Sequence, residues 1–102
     1  MNLKRLKSKT ITKLFKKNDV SKASIFGSVS RGEDNAKSDI DILIEFSKEK
    51  SLLKFVALER RLSRAFKRKV DLQSEAAISP YIIKFIKKDM KVIYEHGGGL
   101  HA

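Results

Sequence analysis

The chain has 102 residues, 41% of them hydrophobic and 34% charged. That composition describes one globular domain rather than a disordered segment, and a domain of this size holds a single small core with no separate substrate domain. There is no cysteine, which excludes a disulfide framework and a thiolate metal site and agrees with a reducing cytoplasm. No stretch approaches the roughly 20 apolar residues that span a membrane, and the lysine-threaded N-terminus does not read as a signal peptide. The formal net charge of +11 favours polyanions or an acidic partner, although simple solubility explains it equally well.

The segment from Leu3 to Lys17 predicts one amphipathic helix, with Leu3, Leu6, Thr10, Leu14 and Phe15 on its apolar face and lysines over the rest. Asn18-Asp19 is a stop signal. Lys22–Phe26 reads as a short strand ending at Gly27-Ser28, with a helical turn allowed after it. A polar loop runs from Arg31 to Ser38. Asp39–Phe46 reads as a strand with Ile40, Ile42 and Ile44 on one face and Asp39, Asp41 and Leu43 on the other.

Ser51 is the expected N-cap of a second long helix reaching Phe66, with Phe55, Leu58, Leu62, Ala65 and Phe66 as its apolar stripe. Lys69–Gln73 is a third strand. Ser79-Pro80 opens a last helix containing Ile82, Ile83, Phe85 and Ile86 and running to about Asp89. Lys91–Glu95 fits a strand or a helical turn. The expected domain spans residues 1–95, with 96–102 as a frayed, glycine-rich tail that includes His96 and His101. This order predicts an α+β or α/β-like domain, a small sheet covered by helices.

Two residues apart in a strand, Asp39 and Asp41 point to the same side and repel each other unless a cation lies between them. Hard Mg²⁺ that also binds substrate phosphates calls for such oxygen ligands. Asp71 joins the cluster if its strand pairs beside Asp39–Phe46. Three carboxylates around two metals suit in-line phosphoryl displacement, and Asp71 is placed to help accept the hydroxyl proton. For the bare Asp-x-Asp pair alone, a solvated strand end is the simpler reading.

Gly27 permits a sharp turn and close phosphate approach, and free N–H groups at a helix opened by Ser28 form an anion site; an ordinary turn is the bland alternative. Arg31 and Lys37 are candidates to meet phosphate, Arg31 with the better geometry, and Ser38 to support the metal site. Lys67-Arg68-Lys69 and the lysines at 84, 87, 88 and 91 read more simply as solvated faces than as a nucleic-acid groove. His96 and His101 lack metal-binding company.

The string Phe26-Gly27-Ser28, a ten-residue gap, then Asp39-Ile40-Asp41-Ile42 resembles the signature of the DNA polymerase β-like nucleotidyltransferase superfamily. Val70-Asp71-Leu72 looks like its third carboxylate. Gly27–Gly32 and Ser38–Leu43 are most similar to the minimal nucleotidyltransferases, the MNT proteins. The resemblance covers nearly the whole chain. It implies a small mixed sheet with helices packed on it and Gly27 and Ser28 in a phosphate-binding turn. It also implies Arg31 before the loop glycine, and Asp39, Asp41 and Asp71 as ligands of Mg²⁺.

By the same resemblance the activity is transfer of a nucleoside monophosphate, AMP from ATP, to a hydroxyl of a partner protein or RNA. MNT relatives are commonly antitoxins paired with a HEPN-domain protein. A docking module without catalysis, or an RNA-binding protein, are the competing functions. The chain departs from the family where relatives often carry a glycine just before the third-carboxylate strand and Phe66-Lys67-Arg68-Lys69 stands instead.

Overall fold

In the computed structural model, which describes residues 3–35 and 37–96, the first amphipathic segment is two helices instead of one. Ser8 adopts extended backbone and its hydroxyl accepts from the Ile11 N–H, so it ends α1 (Leu3–Leu6) and caps α2 (Lys9–Lys17). The break also rephases the apolar stripe. Leu6, Ile11 and Phe15 are buried and Leu14 packs partly against them, whereas Thr10 is exposed. The side chain of Leu3 and the tail over 97–102 lie outside the described residues.

The chain continues through β1 (Val20–Phe26), α3 (Gly27–Arg31), β2 (Ile40–Phe46), α4 (Leu52–Phe66), β3 (Val70–Ser74), α5 (Pro80–Ile86) and β4 (Lys91–Glu95). Lys91–Glu95 is therefore a strand. The last helix stops at Ile86, short of Asp89, and the Asp89 carbonyl accepts from the Ser30 hydroxyl. The four strands form one mixed sheet in the order β3-β2-β1-β4. β1 runs antiparallel to β2 and β4, and β2 pairs parallel with β3, the connection that requires a crossover such as α4.

Strand alternation places the core as expected. Ile40, Ile42 and Ile44 are each fully buried and join Leu58, Leu62 and Phe66 of α4 with Ile11 and Phe15 of α2. Ser51 caps α4 through its hydroxyl, which accepts from the Lys54 N–H. Leu43, on the opposite face of β2 from those isoleucines, is also buried. α5 contributes Ile86 as its one buried residue.

Candidate active site

The site is built where β1 ends and β2 and β3 begin. Phe26 lies opposite Asp41 in the antiparallel pairing, and Asp41 lies opposite Asp71 in the parallel one. Asp41 thus sits between the Gly27-Ser28 turn and the third carboxylate. The strand pairing that Asp71 needed is present.

Gly27 is required twice over. Its φ is +72°, in the left-handed region, and a Cβ placed there would collide with Asp41 Oδ2 and stand 3.3 Å from Asp41 Cγ. Phe26 leads in extended and Gly27 opens α3 directly. The backbone of the turn therefore lies against the carboxylate, leaving a short helix start beside an acid. Gly32, at φ +71°, closes α3 in the left-handed conformation.

Electrostatics mark the cluster. Burial, then the neighbouring charges of Asp71 and Asp39, push the Asp41 carboxyl above its ordinary value, against a smaller lowering by Arg31. Gln73, two residues along the face of β3, donates from Nε2 to Asp71 Oδ1 at 3.1 Å, which orients that carboxylate. Asp39 stands one residue before β2, and its Oδ2 lies 3.9 Å from Lys69 Nζ in an exposed ion pair.

Among the described residues, no three acidic, histidine or cysteine side chains stand close enough together to hold a metal in these rotamers. The donor set is nonetheless of the kind Mg²⁺ takes: hard carboxylate oxygens of like charge, beside a turn with no Cβ.

Other candidates are engaged elsewhere. Arg31 donates from Nε to Glu33 at 2.5 Å and from Nη1 to Asp89 at 3.0 Å, and both partners raise its pKa. Its guanidinium is therefore held at the edge of α3, near enough to influence Asp41. The Ser38 hydroxyl accepts from the Asn35 N–H at 3.0 Å, so it shapes the loop before Asp39. Lys37 is exposed. His96, read as tail, donates its N–H to the Ser21 carbonyl at 2.9 Å and stacks on Tyr94.

Arg68 corrects the sequence reading. It is not a solvated charge: only 14% of its side chain is exposed, and it pairs with Asp34 Oδ2 at 3.0 Å. It also donates to the carbonyls of Asn35 (2.9 Å) and Ser38 (2.7 Å). It therefore clamps the loop that delivers Asp39. A polar loop of turn residues facing a cluster of three cations was the available signal, but nothing local tells which cation turns inward. Lys67, within the Phe66–Lys69 stretch where relatives often carry a glycine, sits at φ +56° as the left-handed C-cap of α4, at some strain.

Comparison with known proteins shows what the chain is related to. The polymerase beta nucleotidyltransferase family matches residues 9–97. The chain is 43% identical over 82 residues to a protein of Methanocaldococcus jannaschii provisionally named a protein adenylyltransferase, covering 80% of this chain and 87% of that one. It is 37% identical over 71 residues to the protein adenylyltransferase MntA of Thermococcus cleftensis, covering 70% and 72%.

A solved structure of a tri-AMPylated Shewanella oneidensis HEPN toxin in complex with its MNT antitoxin shares the fold. Its TM-score is 0.70 at 21% identity, over 96% of this chain and 77% of the matched one. With the glycine turn, the paired carboxylates and these relatives in agreement, the chain belongs to the polymerase beta nucleotidyltransferase family, and within it to the minimal nucleotidyltransferases.

Proposed function

We propose that this enzyme transfers AMP from ATP to a hydroxyl of a HEPN-domain partner protein, as the antitoxin of a toxin–antitoxin pair. The observation that carries the chemistry is the register of Asp41 against Asp71, with the Gly27-Ser28 turn lying against Asp41. The adenylyltransferase names of relatives at 37–43% identity support the donor. The HEPN–MNT complex that shares this fold supports the acceptor.

In this reading the first N–H groups of α3 and the Ser28 hydroxyl hold phosphate oxygens of ATP. Asp39, Asp41 and Asp71 would hold two Mg²⁺ ions, Asp39 giving up its exposed pairing with Lys69 to do so. Bound Mg²⁺ supplies Lewis acidity toward the acceptor hydroxyl and neutralises charge on the triphosphate. Asp71, oriented by Gln73, takes the proton of the acceptor hydroxyl. That oxygen forms a bond to the α-phosphorus, the bond to the β-phosphate oxygen breaks, and pyrophosphate leaves. Arg31 lies at the edge of the site and would meet the triphosphate by exchanging Glu33 for phosphate while keeping Asp89. The reaction belongs in the cytoplasm, where ATP and a reducing environment coincide with a chain free of cysteine.

The test is incubation with α-labelled ATP, Mg²⁺ and the HEPN-domain protein encoded beside the chain. Label on a hydroxyl side chain of that protein is expected, and none with an Asp39→Ala/Asp41→Ala double variant. Neutralisation of the toxin in cells by the double variant at full strength would replace this reading with docking alone.

A further inference from the structure

α5 carries an apolar face that nothing among the described residues covers. Tyr81 is 77% exposed, Ile82 51% and Phe85 71%. Lys84, Lys87 and Lys88 surround them, also exposed, and no acidic residue occurs from Ser79 to Lys88. The composition is that of an interface core: aromatic and aliphatic anchors within a charged rim.

The helix is also fastened to the site. Asp89, just beyond it, receives Arg31 Nη1 at 3.0 Å on its carboxylate and the Ser30 hydroxyl on its carbonyl. Both donors belong to α3, the helix that Gly27-Ser28 opens. A protein seated on α5 is thereby held at a fixed place relative to the phosphate turn.

From this we infer that α5 is the helix on which the acceptor protein docks, its apolar strip entering a hydrophobic depression whose margin is acidic. The inference rests on the reading of the acceptor as a HEPN-domain protein. Charge selects the occupant. A second copy of this chain would set the same lysines against each other on a protein of net charge +11. Single-stranded nucleic acid needs successive open ring faces for stacking, and with the Lys88 ammonium over the Phe85 ring, 5.9 Å from its centroid, Tyr81 is left as a single platform. An apolar protein surface ringed by Asp and Glu satisfies both the strip and the lysines.

α4 provides an internal control. Leu53 is 82% exposed in a shallow groove lined by Val56, Arg60 and Arg64, so an apolar-to-acidic change there matches the chemistry without touching α5. The experiment measures the affinity of the full chain for the HEPN-domain protein by calorimetry in wild type, Ile82→Glu, Phe85→Glu and Leu53→Glu. Mg²⁺·ATP binding and thermal melting are recorded on each variant.

The expected result is a loss of affinity of at least about 10-fold for Ile82→Glu and Phe85→Glu. Leu53→Glu should match wild type, and all variants should bind nucleotide and melt alike. Wild-type affinity in Ile82→Glu and Phe85→Glu, or an equal loss in Leu53→Glu, overturns this inference and leaves AMP transfer standing. So does sedimentation showing a wild-type dimer that Phe85→Glu dissolves, or a single-stranded RNA oligonucleotide that binds wild type and not Phe85→Glu. If wild type binds no HEPN-domain protein, the acceptor reading and this inference fall together.

Discussion

Asp41 and Asp71 stand directly opposite each other across the parallel pairing of β2 and β3, two carboxylates brought side by side by register alone. Without a cation between them this arrangement is unfavourable, and burial, Asp71 and Asp39 together raise the Asp41 carboxyl. A carboxyl raised by folding binds more protons in the folded than in the unfolded state. Asp41 is therefore expected to cost the metal-free protein stability as pH rises from about 4 through its raised value, a contribution read as the difference between wild type and Asp41→Asn. Added Mg²⁺ should remove that loss at neutral pH. Asp71→Asn should raise the neutral-pH melting temperature in EDTA while lowering AMP transfer by at least about 100-fold. Melting curves across pH with EDTA and with Mg²⁺ check this, and a metal-free difference between wild type and Asp41→Asn that does not fall from about pH 4 to 7 contradicts it.

Gly27→Ala combines a left-handed backbone that alanine resists with a Cβ aimed at Asp41 Oδ2. The backbone term alone is about 1–2 kcal/mol, and displacement of the carboxylate should lower transfer by at least about 100-fold. Urea denaturation and a label-transfer assay measure the two effects separately. Gly32→Ala meets no atom within 4 Å, so it should show the backbone loss without the catalytic one.

Arg68 holds three groups of the loop before Asp39 with one guanidinium. Arg68→Ala should lower stability by about 2 kcal/mol and reduce transfer by loosening Asp39. Arg68→Lys should recover little, because an ammonium cannot reproduce the forked geometry. Equal stability and activity in the alanine variant would show the loop to be held by other means.

Lys67 occupies a left-handed C-cap where glycine is at ease. Lys67→Gly should raise stability by about 1 kcal/mol, which in a domain of this size is a melting shift of roughly 4–8 °C. Lys67→Ala should give none of it. Calorimetry distinguishes the two, with AMP transfer unchanged in both.

Much of this site was legible because its parts are local. Gly27-Ser28 after a strand and Asp39-Ile40-Asp41 at the start of the next are short patterns whose side-chain directions follow from backbone geometry. The burial of Ile40, Ile42 and Ile44 follows from the same alternation. What was not legible depended on partners distant in sequence. Ser8 looked like one more polar residue in a helical run until its cap set the phase of Ile11. Arg68 could be told from Lys67 and Lys69 only once the loop from Asp34 to Ser38 lay beside it. Gln73 gained a role when Asp71 acquired a direction, and the hold of Asp89 on Arg31 was not visible because the two lie far apart in the chain.

The parallel pairing of β2 with β3 has a kinetic consequence. Asp41 and Asp71 meet only after the chain has passed through α4 and closed that long crossover, and the entropy of closure is lost before the pairing returns anything. A nascent chain that has emerged as far as α4 already carries its glycine turn and both early aspartates, yet it is expected to be inert.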